Sequence, residues 1–171
     1  LLPIDDRLAR TDIAKSWTPL QSDMVWEGKT QGLLLMGYGS LLFYNEKMLE
    51  AAGVKVPTTP DEWLAAIEKT TDRNAGIFGL VATSIEHPNL VGEVGTWVHG
   101  LGLDWTRDGR WDFRNPAVVA AVEAYRRSMR FAPPGTNSTV GRQLFVDGKA
   151  AFLRDGPWVW AAAARAPEAV R

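Results

Sequence analysis

The sequence contains no cysteine, and this absence excludes a disulfide-stabilised scaffold, cysteine ligands to a metal and a thiol nucleophile. It also lacks an excess of one charge sign, because 19 basic and 20 acidic residues leave a formal net charge of -1. Nucleic-acid-binding domains normally carry a basic excess, so the balanced charge argues against that class of partner. The missing cysteines leave the cellular compartment open.

Long apolar runs are missing as well. The longest uncharged stretch, residues 30–45, is shorter than the about 20 apolar residues that a membrane-spanning helix needs, and glycines interrupt it. Charged residues begin at Asp5, so no signal peptide is visible at the start of the sequence. We therefore predict no direct insertion into a membrane, and the start at Leu1 indicates a mature product or an internal fragment.

Signatures of catalysis are scarce. The two histidines, His87 and His99, have no carboxylates around them at the spacing of a metal motif. The glycines around Tyr38 lack the rest of a dinucleotide-binding fingerprint, and no Gly-x-Ser-x-Gly segment marks a hydrolase nucleophile. We therefore predict no catalytic residue, no metal site and no cofactor.

Helix-start signals recur along the chain and alternate with short apolar segments. Asn45, Thr59 and Asn115 are predicted N-caps, and proline follows the last two directly. Apolar segments of strand length lie at residues 33–44, 77–83 and 150–153. This alternation predicts an α/β fold.

Four local predictions are more specific. Residues 33–44 should form two short buried strand segments joined by an irregular glycine crossing at residues 37–40. Residues 86–102 should be mainly helical, and residues 103–113 should form a small hairpin. Asn137 begins a glycosylation sequon, but we favour a cap for the helix that follows it.

Three segments in order carry a family resemblance. The first is LLFYNEKMLEAAG at residues 41–53 with PTTPDEW at residues 57–63, and the second joins Gly102-Leu103 to the Asn115-Pro116 helix start through Asp108-Gly109. The third is FVDGKAAF at residues 145–152, which runs into DGPW at residues 155–158. In this order and spacing they resemble the extracellular solute-binding proteins of bacterial ABC sugar importers, the family that contains maltose-binding protein.

The resemblance covers nearly the whole chain and implies an architecture. Family members have two α/β lobes of the type II periplasmic-binding-protein class, each with a short mixed sheet flanked by helices, and ligand binds in the cleft between them. On this mapping residues 1–40 are the tail of the first lobe and the interlobe crossing. Residues 41–171 are most of the second lobe, incomplete at its C-terminal end, so the chain is expected to be a central fragment.

The resemblance also implies a function. It predicts non-catalytic binding of a carbohydrate, either an oligosaccharide or a related polyol, for delivery to the membrane permease of an ABC importer. The expected location is periplasmic or extracellular, although neither the signal peptide nor the first lobe is present in the chain.

Trp158 is the first predicted ligand contact, as an aromatic platform for the apolar C–H side of a sugar ring. It follows Gly156-Pro157 at a helix start, where free N–H groups of residues such as Gly156 also face a ligand. Its alternative is a plain core residue, which is what we expect of Trp160. Tyr38 in the glycine crossing is a second contact, and its alternative is a tyrosine that packs at the hinge.

Trp97 and Glu93 are a further predicted pair, because one helical turn separates them and they share a helix face. Their alternative is a core tryptophan beside a solvated glutamate. His87 and Asn89 are weaker candidates in the loop before this helix.

Two other functions remain open. A small glycan-processing enzyme would use paired acids such as Glu93 and Asp104. A dissected lobe would act only as a folding module and dimerise through its exposed cleft face.

Overall fold

The computed structural model describes residues 2–165. Internal contacts divide the chain into two units, Leu1–Gly39 and Ser40–Arg171. The assignment of these units to the tail of a first lobe and to a second lobe stays a prediction.

The first unit consists of short elements. It holds helix α1 (Asp5–Leu8), two 3-10 helices (Ile13–Ser16 and Pro19–Met24) and an antiparallel hairpin of β1 (Val25–Trp26) and β2 (Lys29–Thr30). Gln21 is its buried polar anchor, since its side chain donates to the Gly32 carbonyl and accepts from the Leu34 N–H, both at 2.8 Å.

The first of the two strand segments predicted within residues 33–44 is wrong. Residues 33–40 have no regular secondary structure, and Leu35 is 91% exposed. No strand among residues 2–165 pairs with this segment, and the Leu34 backbone bonds to the Gln21 side chain instead. An apolar run of strand length therefore stays irregular here because it has no partner strand.

The second unit alternates strands and helices. In chain order these are β3 (Leu41–Tyr44), α2 (Glu46–Ala51), α3 (Pro60–Lys69), β4 (Phe78–Val81), α4 (Leu90–His99), β5 (Thr106–Arg107), β6 (Arg110–Trp111), α5 (Pro116–Ser128) with a 3-10 extension (Met129–Phe131), α6 (Ser138–Val146), β7 (Ala150–Asp155) and α7 (Val159–Ala163). The predicted α/β class is confirmed, and β5 and β6 form the expected hairpin.

The main sheet has three strands in the order β3-β7-β4. β7 pairs antiparallel with β3 and parallel with β4, so the sheet is mixed, as the family resemblance implies. β7 is also longer than its predicted bounds of residues 150–153, because Leu41 and Leu42 of β3 pair with Asp155 and Arg154. These pairings place both charged residues within the strand.

Two apolar clusters cover the faces of this sheet. One face packs Phe152 with Ile67 of α3 and Trp97 of α4, and the other packs Leu153 with Phe145 of α6 and Val159. Phe152 and Leu153 are neighbours in β7, so their side chains point to opposite faces. Helices therefore cover both sides of the strand.

The predicted helix starts of this unit are confirmed. The side chains of Asn45, Thr59 and Asn115 each accept a hydrogen bond from a backbone N–H in the first turn of the helix that follows. Asn137 does the same for the Val140 N–H at 3.0 Å, as the cap interpretation predicts. In a capping box the Glu62 side chain would accept from the backbone N–H of the N-cap, Thr59. In the structure it accepts from the N–H of the preceding residue, Thr58.

The helix predicted over residues 86–102 is shorter in the structure, where α4 spans Leu90–His99. Pro88 disfavours helical backbone at His87, which explains the later start. At the other end Gly102 adopts a φ of 71° and the Leu103 N–H donates to the Val98 carbonyl, an arrangement that terminates the helix.

Gly79 lets β4 approach α3 closely. A Cβ added at residue 79 would lie 1.8 Å from the carbonyl oxygen of Ile67. The Gly79 N–H donates to the hydroxyl of Thr71, which itself donates to that same carbonyl. The contact involves backbone on the α3 side, so a side-chain rotation cannot relieve it.

We predict that Gly79→Ala lowers the free energy of unfolding by at least about 2 kcal/mol, because the new methyl group forces strand and helix apart. Urea unfolding followed by far-UV circular dichroism measures this. Gly95→Ala is the matched control, since a Cβ there lies 3.5 Å from the nearest atom and alanine favours the helix. Equal urea midpoints for Gly79→Ala and the parent chain would contradict the close-approach argument.

Candidate ligand-binding site at the carboxyl ends of β4 and β7

The candidate site lies where β4 and β7 end. The two strands are parallel, so their carboxyl ends meet at one edge of the sheet. Thr83 follows β4 there, while Asp155 ends β7 and Gly156 follows it. In open α/β sheets this edge is where ligands bind.

Asp155 holds the Trp158 side chain at this edge. One carboxylate oxygen, Oδ1, accepts from the Trp158 indole N–H at 2.9 Å and from the Gly156 N–H at 2.8 Å. The other oxygen, Oδ2, accepts from Nε of Arg142 on α6 at 2.7 Å. The Asp155 residue is buried, so its charge is compensated by the guanidinium rather than by water.

The Trp158 ring lies against two further groups. A Cβ added at Gly156 would lie 2.3 Å from Cη2 of the indole, so the ring occupies space that only glycine leaves open. The Arg142 guanidinium carbon stands over the ring at 5.8 Å from its centroid. Trp158 is nevertheless 42% exposed. The Gly156 N–H, predicted to be free for a ligand, donates to Asp155 instead. The ligand contacts of Gly156 and Trp158 stay predictions.

Glu93 is buried and bonded. One oxygen of its carboxylate accepts from both the N–H and the hydroxyl of Thr83 at 3.2 Å, and the other lies 3.9 Å from Nη1 of Arg154. Burial raises the pKa of Glu93, and the Thr83 N–H and the positive charge of Arg154 act against that rise. Glu93 thus joins α4 to the end of β4 and is not the solvated residue of the alternative interpretation.

Trp97 belongs to the core. It is 4% exposed and stacks on Trp63 of α3, with ring centroids 4.4 Å apart and ring planes 12° apart. This is the core arrangement of the alternative interpretation. The contact itself stays a prediction, and the burial of Trp97 argues against it.

A groove of about 640 Å³ lies on the Arg154 side of β7, and Trp158 and Asp155 are not among its lining residues. Its lining includes Arg154, Trp63, Trp105, His99 and Leu42. The indole Nε1 of Trp63 is buried and has no hydrogen-bond partner among the described residues. Sequence reasoning missed Arg154, although strand alternation from Phe152 places its side chain on this same face of β7.

The remaining predicted residues lie elsewhere. His87 is half-buried in the loop before α4, where its Nδ1 accepts from the Asn89 N–H at 3.2 Å. The Asn89 side chain donates to the Ser138 hydroxyl at 3.3 Å, which ties this loop to the start of α6.

Tyr38 belongs to the first unit and is 61% exposed. Trp160 is 66% exposed and meets Phe43 edge-on, so its prediction as a core residue is wrong.

The paired acids of the enzyme alternative bond to different partners. Glu93 lies in the first turn of α4, and Asp104 lies beyond the last residue of that helix. Asp104 accepts from the N–H and hydroxyl of Thr106, while Glu93 bonds to Thr83. Within residues 2–165 no three His, Cys, Asp or Glu residues are grouped as a metal site.

Two residues of the site, Arg142 and Arg154, carried no recognisable signal of their own, and Asp155 appeared only as the first residue of the DGPW segment. All three sit on a helix or a strand, where charged residues are normally solvated. Their role depends on which element packs opposite, and Arg142 meets Asp155 only because α6 lies on that face of β7.

The fold is a short mixed sheet flanked by helices, and it matches the fold of type II solute-binding-protein lobes. The sequence profile described as bacterial extracellular solute-binding protein matches residues 1–170, and the chain belongs to this family. Curated relatives include binding proteins of Brucella abortus (strain 2308) and Brucella suis biovar 1 (strain 1330), each 27% identical over 149 residues. These matches cover 81% of this chain and 35% of the relative, so the chain spans about a third of their length.

Solved structures share the fold. The ABC transporter solute-binding protein of Agrobacterium radiobacter K84 in complex with ribitol has a TM-score of 0.82 at 21% identity, covering 99% of this chain and 45% of that one. Maltose-bound MalE3 of T. maritima has a TM-score of 0.80 at 20% identity, with 98% and 45% covered. The Thermotoga lettingae protein bound with alpha-D-tagatose has a TM-score of 0.77 at 22% identity, with 96% and 46% covered.

Among residues 2–165, no helix is both long enough and apolar enough to cross a membrane.

We predict that Glu93→Gln gains stability relative to the parent chain as pH rises. Because the folded-state pKa of Glu93 is raised, the parent has the full benefit of this group below the unfolded-state pKa and loses it as pH rises through the folded pKa. Glutamine does not titrate, and its carbonyl can still accept from Thr83. Urea unfolding of both chains at several pH values between about 4 and 7, the range in which a glutamate with a raised pKa titrates, measures the difference.

Glu62→Gln is the control with the opposite sign. Hydrogen bonds from Thr58 lower the pKa of Glu62, so the parent loses that contribution as pH falls and the glutamine variant gains in acid. Parallel pH profiles for Glu93→Gln and Glu62→Gln would contradict the assignment of Glu93 as a buried, destabilised carboxylate.

Proposed function

We propose that the chain forms one wall of a carbohydrate-binding cleft in the solute-binding component of an ABC importer. The observation that carries the proposal is Trp158, a partly exposed indole held by Asp155 at the ligand-binding edge of an α/β sheet. Family membership and three structural relatives bound to ribitol, maltose and tagatose support it.

The chemistry of the edge suits a polyhydroxylated ligand. An aromatic face covers the C–H side of a sugar ring, and charged and amide groups bind its hydroxyls. Arg154 and Arg142 supply guanidinium donors, and each is held by a buried carboxylate. In this proposal Glu93 acts through Arg154, and Gly156 acts by leaving room for the Trp158 ring.

Transport requires more than this chain. The second wall of the cleft would come from polypeptide that the longer relatives have, and closure of two lobes on the ligand is the motion that periplasmic binding proteins use. The closed form would deliver the ligand to a membrane permease in the periplasm or at the cell surface. The contact by Tyr38 and the dimer through the cleft face stay predictions, and the first rests on the family resemblance.

We predict weak binding by the isolated chain, with a Kd on the order of millimolar, because half the cleft contacts are missing. Titration with ribitol, maltose and tagatose, followed through the ¹⁵N–¹H signals of the tryptophan indoles, measures such affinities. For the ligand that binds, Trp158→Ala should weaken binding at least about 10-fold, since the stacking surface is lost.

Trp160→Ala is the matched control, because it removes the same side chain two positions along the chain and outside the Asp155 bonds. It should bind as the parent does. Unchanged ligand-induced shifts in Trp158→Ala would count against Trp158 as the platform. Sub-micromolar binding of a disaccharide to the parent chain would contradict the half-cleft argument.

A further inference from the structure

The Asp155 carboxylate connects three parts of the second unit. Asp155 is the last residue of β7, and its carboxylate accepts from the backbone N–H of Gly156, which follows the strand. It also accepts from the side chains of Arg142 on α6 and of Trp158 just before α7. The residue is 8% exposed, and its ion pair with Arg142 spans 13 residues of sequence. A group with three donors from three places is an anchor.

The anchored object is the Trp158 indole. Its orientation depends on two side-chain torsions, and three contacts restrain them. The indole N–H points to Asp155, the six-membered ring lies over Gly156, and the Arg142 guanidinium stands over the ring. Together these contacts fix both the direction of the ring edge and the plane of the ring.

Satisfying the indole N–H does not by itself require this arrangement. The Trp158 residue is 42% exposed, so a different side-chain rotamer could turn its N–H to water, and a buried carboxylate is not needed to pair that donor. The bond to Asp155 therefore acts mainly on orientation. An aromatic surface that is already oriented loses less entropy when a ligand stacks on it.

We infer that Asp155 and Arg142 are positioning residues that hold the Trp158 indole in one orientation before ligand binds. The inference rests on the proposed function, because orientation affects affinity only if Trp158 contacts the ligand. Asp155 acts through its hydrogen bond to the indole, and Arg142 acts through its ion pair with Asp155 and its place over the ring.

Three variants separate the two roles. Asp155→Asn keeps a carbonyl acceptor for the indole N–H and loses the charge that pairs with Arg142. Asp155→Ala loses both, and Arg142→Met keeps a long side chain without the guanidinium. Val159→Ala is the stability control, because this fully buried neighbour touches the core and not the Asp155 bonds.

Two readouts are needed. The first is solvent exchange of the Trp158 indole proton, assigned by its absence from Trp158→Ala. Exchange should be slow in the parent and Asp155→Asn, intermediate in Arg142→Met and fast in Asp155→Ala. The second is affinity for the sugar or polyol that binds the parent, which should fall at least about 10-fold in Asp155→Ala and less than about 3-fold in Asp155→Asn. Val159→Ala should lower the melting temperature and leave both readouts unchanged.

The outcomes distinguish this inference from the proposed function. If Asp155→Ala keeps a slowly exchanging indole proton, or binds ligand as the parent does while Trp158→Ala does not, the positioning role is wrong and the platform stands. If Val159→Ala weakens binding as much as Asp155→Ala, the effect is one of stability and the positioning role is again wrong. If ligand binds equally to Trp158→Ala, the proposed function fails, whatever the exchange data show.

Discussion

The pairing of β7 with strands on both sides is the constraint on which the rest of this structure depends. Its antiparallel register with β3 and its parallel register with β4 fix which side chain points to which face. Phe152 and Leu153 enter the two apolar clusters, and the next two residues, Arg154 and Asp155, repeat the same division. One strand therefore organises both the core and the site.

The two charged residues at the end of β7 meet opposite charges from different helices. Arg154 faces Glu93 of α4, and Asp155 faces Arg142 of α6. A buried carboxylate left unpaired would cost several kcal/mol. The guanidinium of Arg154 pairs with the Glu93 carboxylate, and the guanidinium of Arg142 pairs with the Asp155 carboxylate. The ion pairs bring α4 and α6 to the same edge of the sheet, where the exposed indole lies.

How far the sequence predicts this structure depends on the range of each interaction. The caps at Asn45, Thr59 and Asn115 involve neighbours in the chain, and the sequence predicts all of them. The distinction between Trp97 and Trp158 was not predictable in the same way. Trp97 is buried because Trp63 from another helix stacks on it, and that contact follows from packing between elements rather than from any local pattern.

Asp155, Gly156 and Arg142, which contact the Trp158 indole, lie in the second unit. The hydrogen bonds that join Asp155 to Arg142, Gly156 and Trp158 also lie within that unit. Packing within the second unit therefore sets the orientation of the Trp158 indole, through β7, the residue that follows it and α6. In the proposed function, contacts from an opposing wall would add to affinity, while this orientation would be set beforehand.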